Sequence, residues 1–335
     1  MTMRKIINKG VLVFFLLLIS FGGVVINNTD TAIEQKVCED IDLSIPIEIN
    51  GNEYGLDTVL SIPYKGYEGP IVVLLQGSGA LDMDGTVGEE KYKPMKDLAI
   101  GLVKREVAVI RFNKRFYQYS FLISDNYTVY DEVLDDLDCI LKYLKENFQF
   151  TKTILLGHSL GVTFAIEEAY KDSEIDAVIS MAGSPRRLQE LLYDQYVRSY
   201  YQNKLLTSSE REQKIHRLES IIKKINKLQG NDKTMYFNVP ASYWRSLNEL
   251  YQEKHIMNLD IPLFFLQGEM DAQVLAEVDF KKWEAKLKNK TNVEFAELAG
   301  VNHYFIPSGK YGISNENKHM DERVFDLIIK WIREL

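Results

Sequence analysis

Thr153-Ile154-Leu155-Leu156-Gly157-His158-Ser159-Leu160-Gly161 decides how this chain is read. Its first four residues form an apolar β run, and a helical pattern follows Gly161. A serine placed between them occupies a sharp strand-to-helix turn, whose strained backbone needs small neighbours on both sides. Gly157 and Gly161 supply those neighbours and leave Ser159 Oγ exposed at the carboxyl edge of a sheet. The pentapeptide alone is weak, because a chain this long meets it by chance about one time in ten. Its weight depends on the surroundings.

Upstream, residues 43–49 and 56–63 alternate as β segments around Asn50-Gly51-Asn52, and Asn-Gly between such runs predicts a hairpin. A strand at 71–75, a helix near 94–105, a strand at 107–112 and a helix over about 128–147 follow. In that helix Val133, Leu134, Leu137, Ile140, Leu141 and Leu144 recur at the helical period. Downstream of Ser159 come a helix and a strand at 177–181. The alternation predicts an α/β fold, a mostly parallel central sheet flanked by helices.

The alternation stops at Ser184-Pro185. Residues 185–260 hold no core-type strand but two helical patterns, 188–205 and 208–228. In the second, Ile215, Leu218, Ile222, Ile225 and Leu228 share one face. The segment reads as a helical cap insertion that divides the core into residues 27–184 and 261–335. Strand and helix then alternate again: 261–266, 274–287, 293–298 and a closing helix 322–335.

Arg4, Lys5 and Lys9 precede an uncharged run, residues 11–21, and Gly22-Gly23. A basic start, a short apolar stretch and small residues predict that residues 1–26 are a secretory signal, cleaved or retained as an amino-terminal anchor. The expected location is therefore secreted or extracytoplasmic, with any membrane contact made through that anchor. Cys38 and Cys139, the only two cysteines, either pair in that oxidising compartment or stay as thiols. No Cys/His spacing suits a metal, and nothing in the sequence calls for a cofactor. The net charge of −8 argues against nucleic acid, which needs a basic footprint.

Acyl transfer through a serine needs a base for the hydroxyl proton and a carboxylate to fix that base. Behind a strand-turn-helix serine, these follow in the order acid, then histidine. Of the five histidines, His158 is inside the turn, His216 and His255 fall in the insertion, and His319 lies in a polar stretch. His303 directly follows the last strand in Ala299-Gly300-Val301-Asn302-His303-Tyr304 and is the expected base. Asp271, in Gln267-Gly268-Glu269-Met270-Asp271, is the expected acid, with Glu269 its competitor. The oxyanion of a tetrahedral intermediate needs two backbone N–H donors, each worth about 3 kcal/mol of barrier. Leu160 N–H is one candidate, and Ser78 N–H in the glycine-rich turn after residue 75 is the other. Asp82 and Asp84 in that turn read as side chains that bond their own backbone.

With these pieces the chain resembles the α/β-hydrolase superfamily over roughly residues 41–335. Gln76-Gly77-Ser78-Gly79-Ala80-Leu81-Asp82-Met83-Asp84-Gly85 is similar to the Gly-Ser-Gly-Pro-x-Asp-x-Asp loop of a bacterial branch. That branch contains secreted carboxylesterases and serine-aminopeptidase-like or dienelactone-hydrolase-like relatives. The resemblance implies that Tyr243 and Trp244, in Pro240-Ala241-Ser242-Tyr243-Trp244, line an acyl or alcohol pocket; core packing is the other reading. Three places depart from the pattern: Ala80 replaces Pro, Gln76 replaces a common His, and Asn113-Lys114-Arg115-Phe116 stands where relatives read Asp-Lys-Arg-Gly. Lys114 and Arg115 read as exposed loop cations, the commoner case, or as cations that attract an acidic group of the substrate.

The expected function is hydrolysis of a small-molecule carboxylic ester through Ser159, His303 and Asp271. Peptidase or thioesterase chemistry on the same residues is the alternative, and a non-catalytic binding protein on the same fold is the rival of another class. Acyl length, physiological substrate and oligomeric state are not written in the sequence.

Overall fold

The computed structural model describes residues 39–88, 91–309, 312–313 and 319–335. The expected signal at residues 1–26 and Cys38 lie outside the described residues, so the cysteine pairing does too. Among the described residues no helix is long and apolar enough to cross a membrane.

Eight strands form one sheet: β1 (Glu39–Ile49), β2 (Asn52–Ile62), β3 (Ile71–Leu75), β4 (Ala108–Phe112), β5 (Thr153–His158), β6 (Ala177–Met181), β7 (Leu263–Gly268) and β8 (Val293–Leu298). Their spatial order is β1-β2-β4-β3-β5-β6-β7-β8. β2 runs antiparallel to both of its neighbours, and every pairing from β4 to β8 is parallel. The β1–β2 turn is the predicted one: Asn50 and Gly51 both take positive φ, 52° and 76°, as the twist of a two-residue hairpin requires.

Strands of a parallel sheet are covered on both faces and read as continuous apolar runs. In β3, Ile71, Val73 and Leu75 enter one core and Val72 and Leu74 the other. The first core takes α2 (Asp135–Asn147) and α3 (Gly161–Lys171) through Leu137, Ile140, Leu144 and Phe164. The second takes α1 (Pro94–Val103) and the closing helix Glu322–Glu334. That last helix buries Val324, Phe325, Ile328, Ile329, Trp331 and Ile332, a helical spacing, and each such burial contributes at most about 1.5–3 kcal/mol.

Between β6 and β7 the chain leaves the sheet for a helical insertion: α4 (Leu188–Gln202), α5 (Ser208–Ile225) and α6 (Ala241–Glu249). Thr207 and Glu210 cap α5 reciprocally, which fixes where it starts. Leu218 and Ile225 on its apolar face are buried, while its lysines and arginines stay at the surface. The third helix, α6, has no counterpart among the expected helices; Pro240 immediately precedes it in extended backbone. Observed architecture and expectation agree: an α/β sheet carrying a helical insertion.

Candidate active site

Register brings the site together. Leu75 pairs with Gly157, His158 with Met181, Met181 with Leu266, and Leu298 with Gly268, so the carboxyl ends of β3, β5, β6, β7 and β8 lie along one edge. Ser159 follows β5 directly with φ +55°, a left-handed conformation that costs a side-chain-bearing residue of order 1–3 kcal/mol and persists only when neighbours over-determine it. The neighbours do so. A Cβ at Gly161 would lie 2.2 Å from Leu75 O, and one at Gly157 would lie 2.5 Å from the Gly161 backbone. Ser159 N–H donates to Met181 O at 2.9 Å, which ties the turn to β6.

His303 and Asp271 meet across the ends of β8 and β7. His303 Nδ1 lies 2.7 Å from Asp271 Oδ2, and both side chains are buried. The carboxylate also accepts from Gln267 Nε2 at 2.9 Å and from the backbone N–H groups of Gln273 and Val274 at 2.7 and 2.9 Å. Four donors fix its plane, and the imidazole is fixed with it. The competing acid is elsewhere: Glu269 accepts the Gly300 N–H at 2.9 Å and braces the loop that carries His303. His158 packs its ring 4.7 Å from that of His303 and donates from Nε2 to the His303 carbonyl at 2.8 Å. Burial, reinforced by the His303 ring, pushes His158 down to about 3, so it is neutral and its proton sits on Nε2. Through this bond the residue beside Ser159 anchors the histidine loop to the serine turn. Ser159 Oγ itself makes no hydrogen bond among the described residues, a common looseness before substrate arrives.

The loop after β3 lies against the serine. A Cβ at Gly77 would sit 3.1 Å from Ser159 Cβ. Among the described residues neither the Ser78 N–H nor the Leu160 N–H donates to a protein acceptor. Gln76 Nε2 donates to Asp82 O at 2.6 Å and Phe112 O at 3.3 Å, closing the loop as an amide in the histidine's place can. Asp82 bonds the Thr86 backbone and hydroxyl. Asp84 does more than the expected turn bonding: it pairs with Lys93 at 2.9 Å and Arg111 at 3.2 Å, and despite its burial these cations hold it below its ordinary range.

Lys114 and Arg115 correct the sequence reading. Neither is an exposed loop cation; they are 2% and 4% exposed. Arg115 makes a two-pronged pair with Asp136, at 2.6 and 3.0 Å. Lys114 Nζ donates to Glu132 Oε1 at 2.9 Å and to Gly77 O at 2.5 Å. Removing one partner from such a buried pair costs about 3–5 kcal/mol, because the other charge is stranded. The signal was present in the sequence: Glu132 and Asp136 are one helical turn apart, matched to two consecutive cations.

Tyr243 and Trp244, on α6, are both buried. Trp244 Nε1 donates to Tyr236 O at 3.0 Å. Tyr243 OH donates to Glu132 Oε2 at 2.6 Å, joining the Lys114 pair, and its ring stands 5.5 Å from that of Tyr127. Burial, then the Glu132 charge, holds its phenol well above the usual tyrosine range, so it remains a donor. Gln267 and Glu132 are residues around the site that sequence reasoning missed, and Lys114 is one that it misread. Among the described residues no cluster of metal-binding side chains is found.

Comparisons with known proteins bear on the fold and the family. Esterase EstD of Thermotoga maritima is 32% identical over 281 residues, covering 83% of this chain; the chain spans 65% of that relative's length. Among solved structures, the Pyrococcus furiosus esterase Pf2001 is similar at a TM-score of 0.55 and 16% identity, over 92% of this chain and 95% of that one. A puromycin-hydrolyzing peptidase of Mycobacterium tuberculosis is similar at 0.57 and 12% identity, over 91% of this chain and 40% of that one. The family model Hydrolase_4, described as serine aminopeptidase, S33, matches residues 90–306, more than half of the 335. With the strand order, the serine turn and the His303–Asp271 pair in place, the chain belongs to this Hydrolase_4 family of the α/β-hydrolase superfamily.

Proposed function

We propose that this chain is a serine hydrolase of small carboxylic esters, with Ser159 as nucleophile, His303 as base and Asp271 as the carboxylate that orients it. The observation that carries the reading is the His303–Asp271 bond of 2.7 Å anchored beside a serine at φ +55°. With Nδ1 engaged by Asp271, Nε2 is the ring nitrogen left to take the Ser159 proton. Ser159 Oγ then bonds the acyl carbon, and the carbonyl electrons move to an oxygen that Ser78 N–H and Leu160 N–H accommodate. Collapse breaks the bond to the alkoxide, which leaves with the proton from His303. Water attacks the acyl-enzyme by the same route, returning the proton to Ser159 and releasing the acid.

An ester is favoured over an aminopeptide by the charges around the site. A free substrate amine needs an uncommitted carboxylate, and four carboxylates around the site are engaged among the described residues. Asp271 holds His303, Glu132 holds Lys114 and Tyr243, Glu269 holds Gly300, and Asp84 holds Lys93 and Arg111. Thioesters need no such carboxylate and remain within the same chemistry. The basic start and apolar run of residues 4–21 support an exported enzyme.

Hydrolysis of p-nitrophenyl esters of graded length, beside aminoacyl nitroanilides, tests this with residues 27–335. Ester turnover is expected, lost in Ser159→Ala and reduced about 10³- to 10⁴-fold in Asp271→Asn, while Glu269→Gln stays within about tenfold. Nitroanilide cleavage without ester cleavage would replace the ester reading with a peptidase. Silence on both by folded protein would favour a binding role.

A further inference from the structure

The expected donor Ser78 N–H shares a peptide unit with the Gly77 carbonyl. That unit is planar and trans, so the two groups point in opposite directions and cannot turn independently. Gly77 O is held at 2.5 Å by Lys114 Nζ, which is itself held at 2.9 Å by Glu132. We infer that Lys114 is a positioning residue for the oxyanion site: its ammonium, braced by Glu132 and Tyr243, fixes the 77–78 peptide so that the Ser78 N–H faces the acyl oxygen. This rests on the serine-hydrolase reading above.

Three observations carry it. First, Lys114 is buried, and turning the peptide away would strip its ammonium of an acceptor in a place screened from bulk solvent. Second, an ammonium on the carbonyl polarises the whole peptide and strengthens the N–H at its far end, where negative charge develops during reaction. Third, the Lys114 main chain holds the same loop, donating its N–H to Leu81 O at 3.1 Å. One residue therefore fixes the loop at two points. Arg115 next door is satisfied by Asp136 and bonds no atom of that loop among the described residues, so burial of a cation alone is not the argument.

The brace also reaches the insertion. Glu132 lies in a widened π-helical turn, Tyr130–Leu134, at the start of α2, and accepts from Tyr243 OH at 2.6 Å on α6. A continuous line of hydrogen bonds thus runs from the insertion through Glu132 and Lys114 to the peptide that faces Ser159.

The test compares wild type, Lys114→Met, Tyr243→Phe and Ser159→Ala on a p-nitrophenyl ester. Inhibition by an alkylboronic acid, which forms a tetrahedral adduct on a serine, is measured alongside. Lys114→Met is expected to lower kcat about 10- to 100-fold with KM within about twofold, and to weaken boronate inhibition by the same factor as kcat/KM. Tyr243→Phe, which removes one oxygen from a packed ring, is expected to show the same pattern at about 3- to 10-fold. A purely structural role would lower melting temperature without linking kcat to boronate affinity. Unchanged kcat and boronate affinity in either folded variant would overturn the inference. If Lys114→Met does not fold, Tyr243→Phe decides alone. Ester turnover surviving Ser159→Ala would fail differently, removing the serine reading and this inference with it.

Discussion

Two stretches of backbone meet at the carboxyl edge of the sheet, the serine turn at 157–161 and the loop at 76–85, and opposite means hold them. The turn is held mainly by contact, beside the one Ser159 N–H bond to Met181 O: main chain from β3 and from the turn itself occupies the space beside Gly157 and Gly161, so Ser159 has one place to be. The loop is held by polar groups reaching in from β4 and the residues after it: Arg111 to Asp84, Asn113 to the Met83 N–H, Lys114 to Gly77. Contact is absolute and local. Hydrogen bonds and charge are graded, and they depend on residues far away in the chain. On the function proposed above, a nucleophile that must not move and donors that must be aimed are served by these two devices respectively.

The comparison can be broken first where the largest effect is expected. Gly161→Ala puts a methyl against Leu75 O, 2.2 Å from its built position, and backbone cannot give way cheaply. Loss of folded protein, or a melting temperature lower by about 10 °C or more, is expected together with loss of turnover. Wild-type stability in thermal denaturation would refute the claim that contact fixes the turn. Gly77→Ala should behave differently, since its Cβ meets Ser159 Cβ at 3.1 Å, a tight but yielding contact. There kcat should fall about tenfold while melting changes by only about 2 °C. A collapse like that of Gly161→Ala would show that the loop is held by contact as well.

A smaller effect is set behind the turn, on α3. Burial, then the neighbouring Asp138 carboxylate, pushes Glu168 up to about 8, above its ordinary 4.5. Between those values the folded protein keeps a proton that the unfolded chain has released. The stability that this group contributes is therefore full below pH 4.5 and declines as pH rises toward 8. Glu168→Gln has no proton to lose, so its melting temperature relative to wild type should rise steadily from pH 5 to 8.5. A difference independent of pH, read from melting curves, would show that Glu168 does not titrate in that window.

The same contrast explains what could be read in advance. The strands, their alternation with helices and the serine turn are written locally, in apolar runs and in glycines next to the residue they serve. The pairing of His303 with Asp271 could be expected because few histidines exist and only one follows the last strand. Asp271 over Glu269 was legible only as a preference; the choice is made by Gln267 and the Gln273 and Val274 N–H groups, which cradle one carboxylate and leave the other to Gly300. Lys114 was misread because a cation in a loop looks exposed until its counter-ion, 18 residues on, folds over it. Tyr243 carried two readings, pocket or core, and its hydroxyl on Glu132 belongs to neither simple version. Charge-held features are written in pairs, and a single residue shows half of one.

The central claim is that Ser159 is a nucleophile driven by His303, and covalent capture tests it most directly. A fluorophosphonate incubated with the folded protein should add one phosphonyl group, mapped by peptide mass spectrometry to Ser159. The adduct should be absent in Ser159→Ala and form about 10³-fold more slowly in His303→Ala. No adduct on folded wild-type protein, or labelling that is unchanged without His303 or falls on another serine, would contradict the account.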